Sequence, residues 1–83
     1  MFYSEIEKIV IKDFDQFKGA DSVIPYRREK YINFATQMTM QKYNETYCSQ
    51  TELEDFVHGL THIFFDGILE GMRIVLQATQ EGE

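Results

Sequence analysis

The strongest constraint on this chain is the stretch 52–79, which has the periodicity of one long helix and is apolar on two faces in its second half. Leu53, Phe56, Val57, Leu60, Ile63, Phe64, Gly67, Gly71, Ile74, Val75 and Ala78 keep one stripe for about seven turns at roughly 100° per residue. From Phe65 onward a second stripe joins it, made of Phe65, Leu69, Met72 and Leu76 and lying roughly 120–140° away. Asp55, His62, Asp66, Glu70, Arg73 and Gln77 keep a polar edge. A helix divided this way needs partners on both apolar faces.

The rest of the chain can supply only some of them. Ser4 with Glu7 has the spacing of a capping box, and Phe2, Ile6, Ile9, Val10, Phe14 and Phe17 recur at steps of three and four. These place a first helix at about 5–18. Gly19 follows as a residue free to take the left-handed conformation a helix end requires. Ile9-Val10-Ile11 is β-branched throughout, but the capping box and the stripe outweigh a strand there. Pro25 suits the first turn of a second helix reaching about Thr46, with Tyr31, Phe34, Ala35 and Met38 on one stripe and Ile32, Met40, Tyr43 and Tyr47 on another. Cys48-Ser49-Gln50 makes a short return, and Thr51 with Glu54 opens the third helix as a second capping box. The expectation is one all-α domain over 1–83, with helices at about 5–18, 25–46 and 52–79. It takes the form of a three-helix antiparallel bundle, a helical hairpin with a shorter first helix. The stripe of Phe65, Leu69, Met72 and Leu76 is surplus to such a bundle, so a homodimer is expected.

At 83 residues a chain buries roughly 60% of its unfolded surface, a thin margin that twelve aromatic residues widen. The net charge of −6 is unevenly spread: residues 1–50 balance seven acids against seven bases, whereas 51–83 hold seven acids and Arg73 alone. An acidic surface there repels a phosphate backbone, which argues against direct nucleic-acid binding. No apolar run approaches the ~20 residues of a membrane span. The N-terminus lacks the pattern of a signal peptide, and Cys48 has no second cysteine to pair with; a cytoplasmic setting with no membrane contact is expected.

Three constellations are candidates for chemistry or recognition. His58 and His62 stand one turn apart with Asp66 a turn further, two imidazoles and a carboxylate of the kind that ligate zinc. Gly59 takes the place of the Glu that follows the first His in zinc proteases, and a further ligand would have to come from another helix or subunit, with Cys48 or Glu45 the nearest candidates. The plainer alternative is a half-exposed edge where acids pair with histidines. Gly67 and Gly71, four apart on the apolar stripe, suggest a close helix crossing, either between two chains or within one against Phe14 or Phe34. Arg27, Arg28 and Lys30 form the only basic cluster, suited to an acidic partner, a phosphate or simply the acidic third helix. Cys48 has no neighbouring histidine, Ser49 has no strand-turn-helix context, and no glycine-rich phosphate loop exists, so neither an enzyme nor a cofactor is expected.

The segment Phe64-Phe65-Asp66-Gly67-Ile68-Leu69-Glu70-Gly71-Met72-Arg73-Ile74 resembles the closing helix of small helical proteins of Firmicutes, their phages and mobile elements. The resemblance covers about fifteen residues and implies a small accessory protein with no catalytic residues. Three functional classes follow. The first is stoichiometric protein–protein binding through an interface of Phe65, Gly67, Leu69, Gly71, Met72 and Leu76. In it, Glu52, Glu54, Asp55, Asp66 and Glu70 form an acidic surface for a host protein with a basic groove, as in an anti-CRISPR-like inhibitor of a nucleic-acid-binding enzyme. The others are a metal-binding helical protein using His58, His62 and Asp66, and a DNA-binding regulator using Arg27, Arg28 and Lys30.

Overall fold

The computed structural model describes residues 2–81, with side chains described at all of these except 72, 75, 76 and 78–81. Three α-helices account for most of them: α1 (Tyr3–Gln16), α2 (Pro25–Glu45) and α3 (Gln50–Glu81), with a 3-10 turn over Ala20–Ser22 between the first two.

Local chemistry sets where each helix begins, by a capping side chain at α1 and α3 and by a proline at α2, and two of these starts differ from expectation. The α1 start is held by Glu5, not by Ser4 with Glu7: the Glu5 carboxylate accepts the backbone N–H of Phe2 at 2.9 Å, and Phe2 is the last extended residue. The α3 start is held by Ser49, whose Oγ accepts the N–H of Glu52 at 3.2 Å, so the operative pair lies two residues before Thr51 and Glu54. Pro25 is the first residue of α2, with Ile24 extended before it, the conformation a proline imposes on its predecessor. Gly19 is left-handed at φ +96°, but three residues past the end of α1. Phe17 has already turned extended, and Gly19 serves to open the 3-10 turn, where Ser22 Oγ donates to its carbonyl at 2.6 Å.

Burial follows steps of four on every helix. Ile6, Val10 and Phe14 form the line on α1, and Leu53, Val57, Thr61 and Phe65 form it on α3. On α2 the inner face is Tyr31, Ile32, Ala35, Thr36 and Thr39. The hydroxyls of Thr36 and Thr39 donate to the carbonyls of Ile32 and Ala35, so these threonines present only a methyl to the core. Phe34, Met38 and Tyr47, assigned to apolar stripes from the sequence, are 55, 38 and 99% exposed.

A step of four turns the line by about 40° around the axis, so the buried line of α3 walks away from the stripe that the spacing suggested. By mid-helix the two have separated. Ile63, on the expected core stripe, is 72% exposed, while Phe65, assigned to the surplus stripe, is 4% exposed. Phe65 stacks on Phe17 at 4.6 Å between ring centroids and lies 5.3 Å from Phe14. Phe14 also meets Tyr31 and Phe64, and in that way joins all three helices.

α1 packs on both other helices, while α2 and α3 run antiparallel, with Tyr31 against Thr61 and Phe64 near one end and Lys42 over Phe56 nearer the other. Since Tyr31 lies level with residues 61–64, Pro25, six residues earlier on the antiparallel helix, lies level with about residues 67–70. The remainder of α3 therefore runs roughly 20 Å beyond the start of α2 at 1.5 Å per residue. The dimensions agree: the chain measures 53 × 22 × 18 Å, and its radius of gyration of 15.1 Å exceeds the ~12 Å expected of a compact chain this long.

Candidate protein-binding surface

An open groove of about 540 Å³ lies between the outer faces of α2 and α3. Tyr31 and Phe34 of α2 and Leu60, Ile63 and Phe64 of α3 line it, with Arg27 and Lys30 at its rim. Its floor is tied down: Tyr31 and Phe64 stack at 4.3 Å, and the buried Tyr31 hydroxyl meets Thr61 Oγ1 at 2.9 Å. Burial of that phenol raises its pKa from the usual value, an effect the Thr61 hydrogen bond opposes and the charge of Asp13 reinforces. The walls are different, since Phe34 and Ile63 face outward.

On α3 the groove continues into the segment that outruns α2. Leu53, Val57, Leu60, Phe64, Gly67, Gly71 and Ile74 follow one another at steps of four and three alternately, the heptad spacing of a helix–helix seam. Leu53 and Val57 are buried, Leu60 and Phe64 half-buried, and Gly67, Gly71 and Ile74 exposed. The seam thus starts inside the fold and emerges from it. A Cβ at Gly67 or Gly71 would meet nothing within 4 Å, so no close crossing against Phe14 or Phe34 exists at these glycines. Leu69 is 63% exposed on the opposite side of the helix. Of the expected interface, Phe65 belongs to the core, Gly67, Leu69 and Gly71 are on the surface, and Met72 and Leu76 lie outside the described side chains.

The acidic residues divide. Glu52, Asp55, Asp66 and Glu70 are exposed along one edge of α3, on the far side of the seam from α2. Glu54 is turned about 200° from Glu52 and lies beside Ile9, Lys12, Asp13 and Gln16, so it leaves the group. Glu70 pairs with Arg73, and Asp66 lies 3.9 Å from His62; Glu52 and Asp55 make no ion pair among the described residues. Of the basic cluster, Arg28 holds Asp15 of α1 at 3.0 Å rather than facing α3, and Lys30 lies over the Tyr26 ring. Arg27 and Lys30 make no ion pair among the described residues.

Each histidine has a carboxylate beside it. His58 Nδ1 meets Asp13 Oδ1 of α1 at 2.9 Å, and the two imidazoles pack edge to face at 5.3 Å. Asp13 Oδ2 is buried without a hydrogen-bond partner among the described residues. Cys48 is buried and Glu45 bonds with Gln41, so neither joins His58, His62 and Asp66. Among the described residues no group of three or more His, Cys, Asp or Glu side chains is placed to hold a metal ion. Nor is any helix there long and apolar enough to cross a membrane.

Phe34 and Ile63 are the surface residues that periodicity assigned to apolar stripes, and Arg27 and Lys30 of the basic cluster lie beside them on the groove. The alternating four-three spacing through Gly67 and Gly71 was the available signal for the seam, because it persists after the buried line has drifted away. Comparison with family models, with curated proteins and with solved structures returned no match.

Proposed function

We propose that this chain is a non-catalytic protein-binding module that works by stoichiometric association through α3. The observation that carries the proposal is the groove between α2 and α3, where Phe34, Ile63 and Ile74 stand at 55, 72 and 56% exposure along one groove and its continuation. Contiguous exposed apolar surface of this kind marks contact sites, whereas isolated exposed residues do not. Beside it, Glu52, Asp55, Asp66 and Glu70 offer a row of carboxylates whose charge suits a basic surface on another protein.

Within this reading the chain is an accessory protein of phage or mobile-element type, and its carboxylates occupy the phosphate-binding groove of a nucleic-acid-binding enzyme. Titration into DNA-cleavage reactions of RNA-guided nucleases tests this. Inhibition complete at one-to-one stoichiometry is expected, weakened when Glu52→Gln, Asp55→Asn, Asp66→Asn and Glu70→Gln are combined. Cleavage that never responds, or inhibition that the four substitutions leave untouched, would remove phosphate mimicry.

A further inference from the structure

We propose that the α2/α3 groove and the seam running out of it are covered by a second copy of this chain, with the two α3 helices side by side and parallel. The inference rests on the protein-binding reading and names the occupant of its groove.

The heptad line from Leu60 through Phe64, Gly67 and Gly71 to Ile74 is what one helix offers another of the same kind. The bare backbone at the two glycines lets the axes approach closely beyond the start of α2, where a Cβ would meet nothing within 4 Å among the described residues. Phe34 and Ile63 form the outer wall that the second α3 packs against.

Charge decides the orientation. Around α3 the order is α1, then α2, then the seam, then the acidic edge. Arg27, one turn before Tyr31, stands level with about residues 64–68 of α3, and Lys30 lies close by on the groove rim. In a parallel two-fold pair, the acidic edge of each α3 falls beside the α2 of the other copy. Asp66 then faces Arg27 at matching height, with Glu70 about one turn further along and already paired with Arg73 of its own helix. An antiparallel two-fold pair brings acid to acid and leaves the basic rim unmatched. Opposite-charge juxtaposition fixes register and like-charge juxtaposition excludes the alternative. Two-fold symmetry makes each contact twice.

Sedimentation equilibrium over a range of concentrations tests the assignment. The native chain is expected to reach twice its 9.8 kDa mass. Asp66→Lys with Glu70→Lys should weaken association by about tenfold or more, since attraction becomes repulsion at symmetric sites. Adding Arg27→Glu and Lys30→Glu to the same chain should restore most of it. Circular dichroism of each variant keeps the comparison to folded chains. A native chain that stays at 9.8 kDa throughout, or a reversed pair that fails to restore association, overturns the proposal. A monomer that still inhibits a nuclease overturns the second-copy assignment alone. A dimer without inhibition supports it and removes only the inhibitor reading.

Discussion

The Tyr31 and Thr61 hydroxyls lie 2.9 Å apart, and Thr61 Oγ1 also donates to the Val57 carbonyl at 3.0 Å, so both bonds form together when Tyr31 is the donor. This bond joins α2 to α3 directly beneath the groove, so it links the stability of the fold to the placement of the surface. Tyr31→Phe removes only the donor, and Thr61 keeps its bond to Val57; a loss of about 1 kcal/mol in denaturant unfolding is expected. Thr61→Val instead strands the buried phenol, and its cost should be larger, about 1–3 kcal/mol. Combined in one chain, the two substitutions should cost clearly less than the sum of their separate effects.

The same residue predicts a pH response. The Tyr31 pKa is raised in the folded state, mainly by burial, so folding favours the protonated phenol. Its contribution is complete below the unfolded value near 10.0 and is lost as pH rises through the folded value. Unfolding free energy should therefore fall above pH ~10, and more steeply in the native chain than in Tyr31→Phe. Equal slopes in the two chains would show that the phenol is solvated.

Ser49 should matter to α3 where Thr51 does not. Ser49→Ala removes the acceptor for the Glu52 N–H and should cost about 1 kcal/mol. Thr51→Ala alters an exposed residue already inside the helix and should be close to neutral. Thermal melts of the two variants give the comparison.

Gly67 and Gly71 separate the needs of the isolated chain from those of the assembly. A Cβ meets nothing at either position, so Gly→Ala should stabilise the isolated helix by roughly 0.5–1 kcal/mol per site. In the proposed pair the same methyl groups lie on the seam and hold the axes apart. Higher helicity in dilute solution together with weaker self-association is the expected combination. Unchanged association in Gly67→Ala/Gly71→Ala would mean that the glycines are not on the contact.

Features set by local chemistry were legible in the sequence. Pro25 opening α2, the left-handed Gly19 and the three-helix order were readable because each depends on chemistry within a few residues. The Ser49–Glu52 start was equally local, but it competed with Thr51–Glu54 at the same spacing two residues on. The core of α3 was harder to read. Steps of four carry its buried line from Leu53 to Phe65, and that drift follows from how the helices cross, which no single-helix periodicity contains. Thr36, Thr39 and Thr61 entered the core because each donates to a carbonyl one turn back, an option that a polar residue type hides. The groove itself depends on where α2 begins relative to α3, so Phe34 and Ile63 read as core in sequence and line an open surface in the fold.

In the proposed pair, the seam leaving the fold at Phe64 is closed by the same seam of a second, parallel copy. Ile74→Cys in a Cys48→Ser background tests it, since in a parallel pair the two cysteines at 74 oppose each other across the seam. Mild oxidation of the dilute protein should convert it almost completely to a disulfide-linked dimer that keeps its helical signal, and Ile63→Glu in the same chain should suppress the link. Persistence of the free thiol under conditions that fully oxidise a small-molecule thiol would mean that the two seams do not meet.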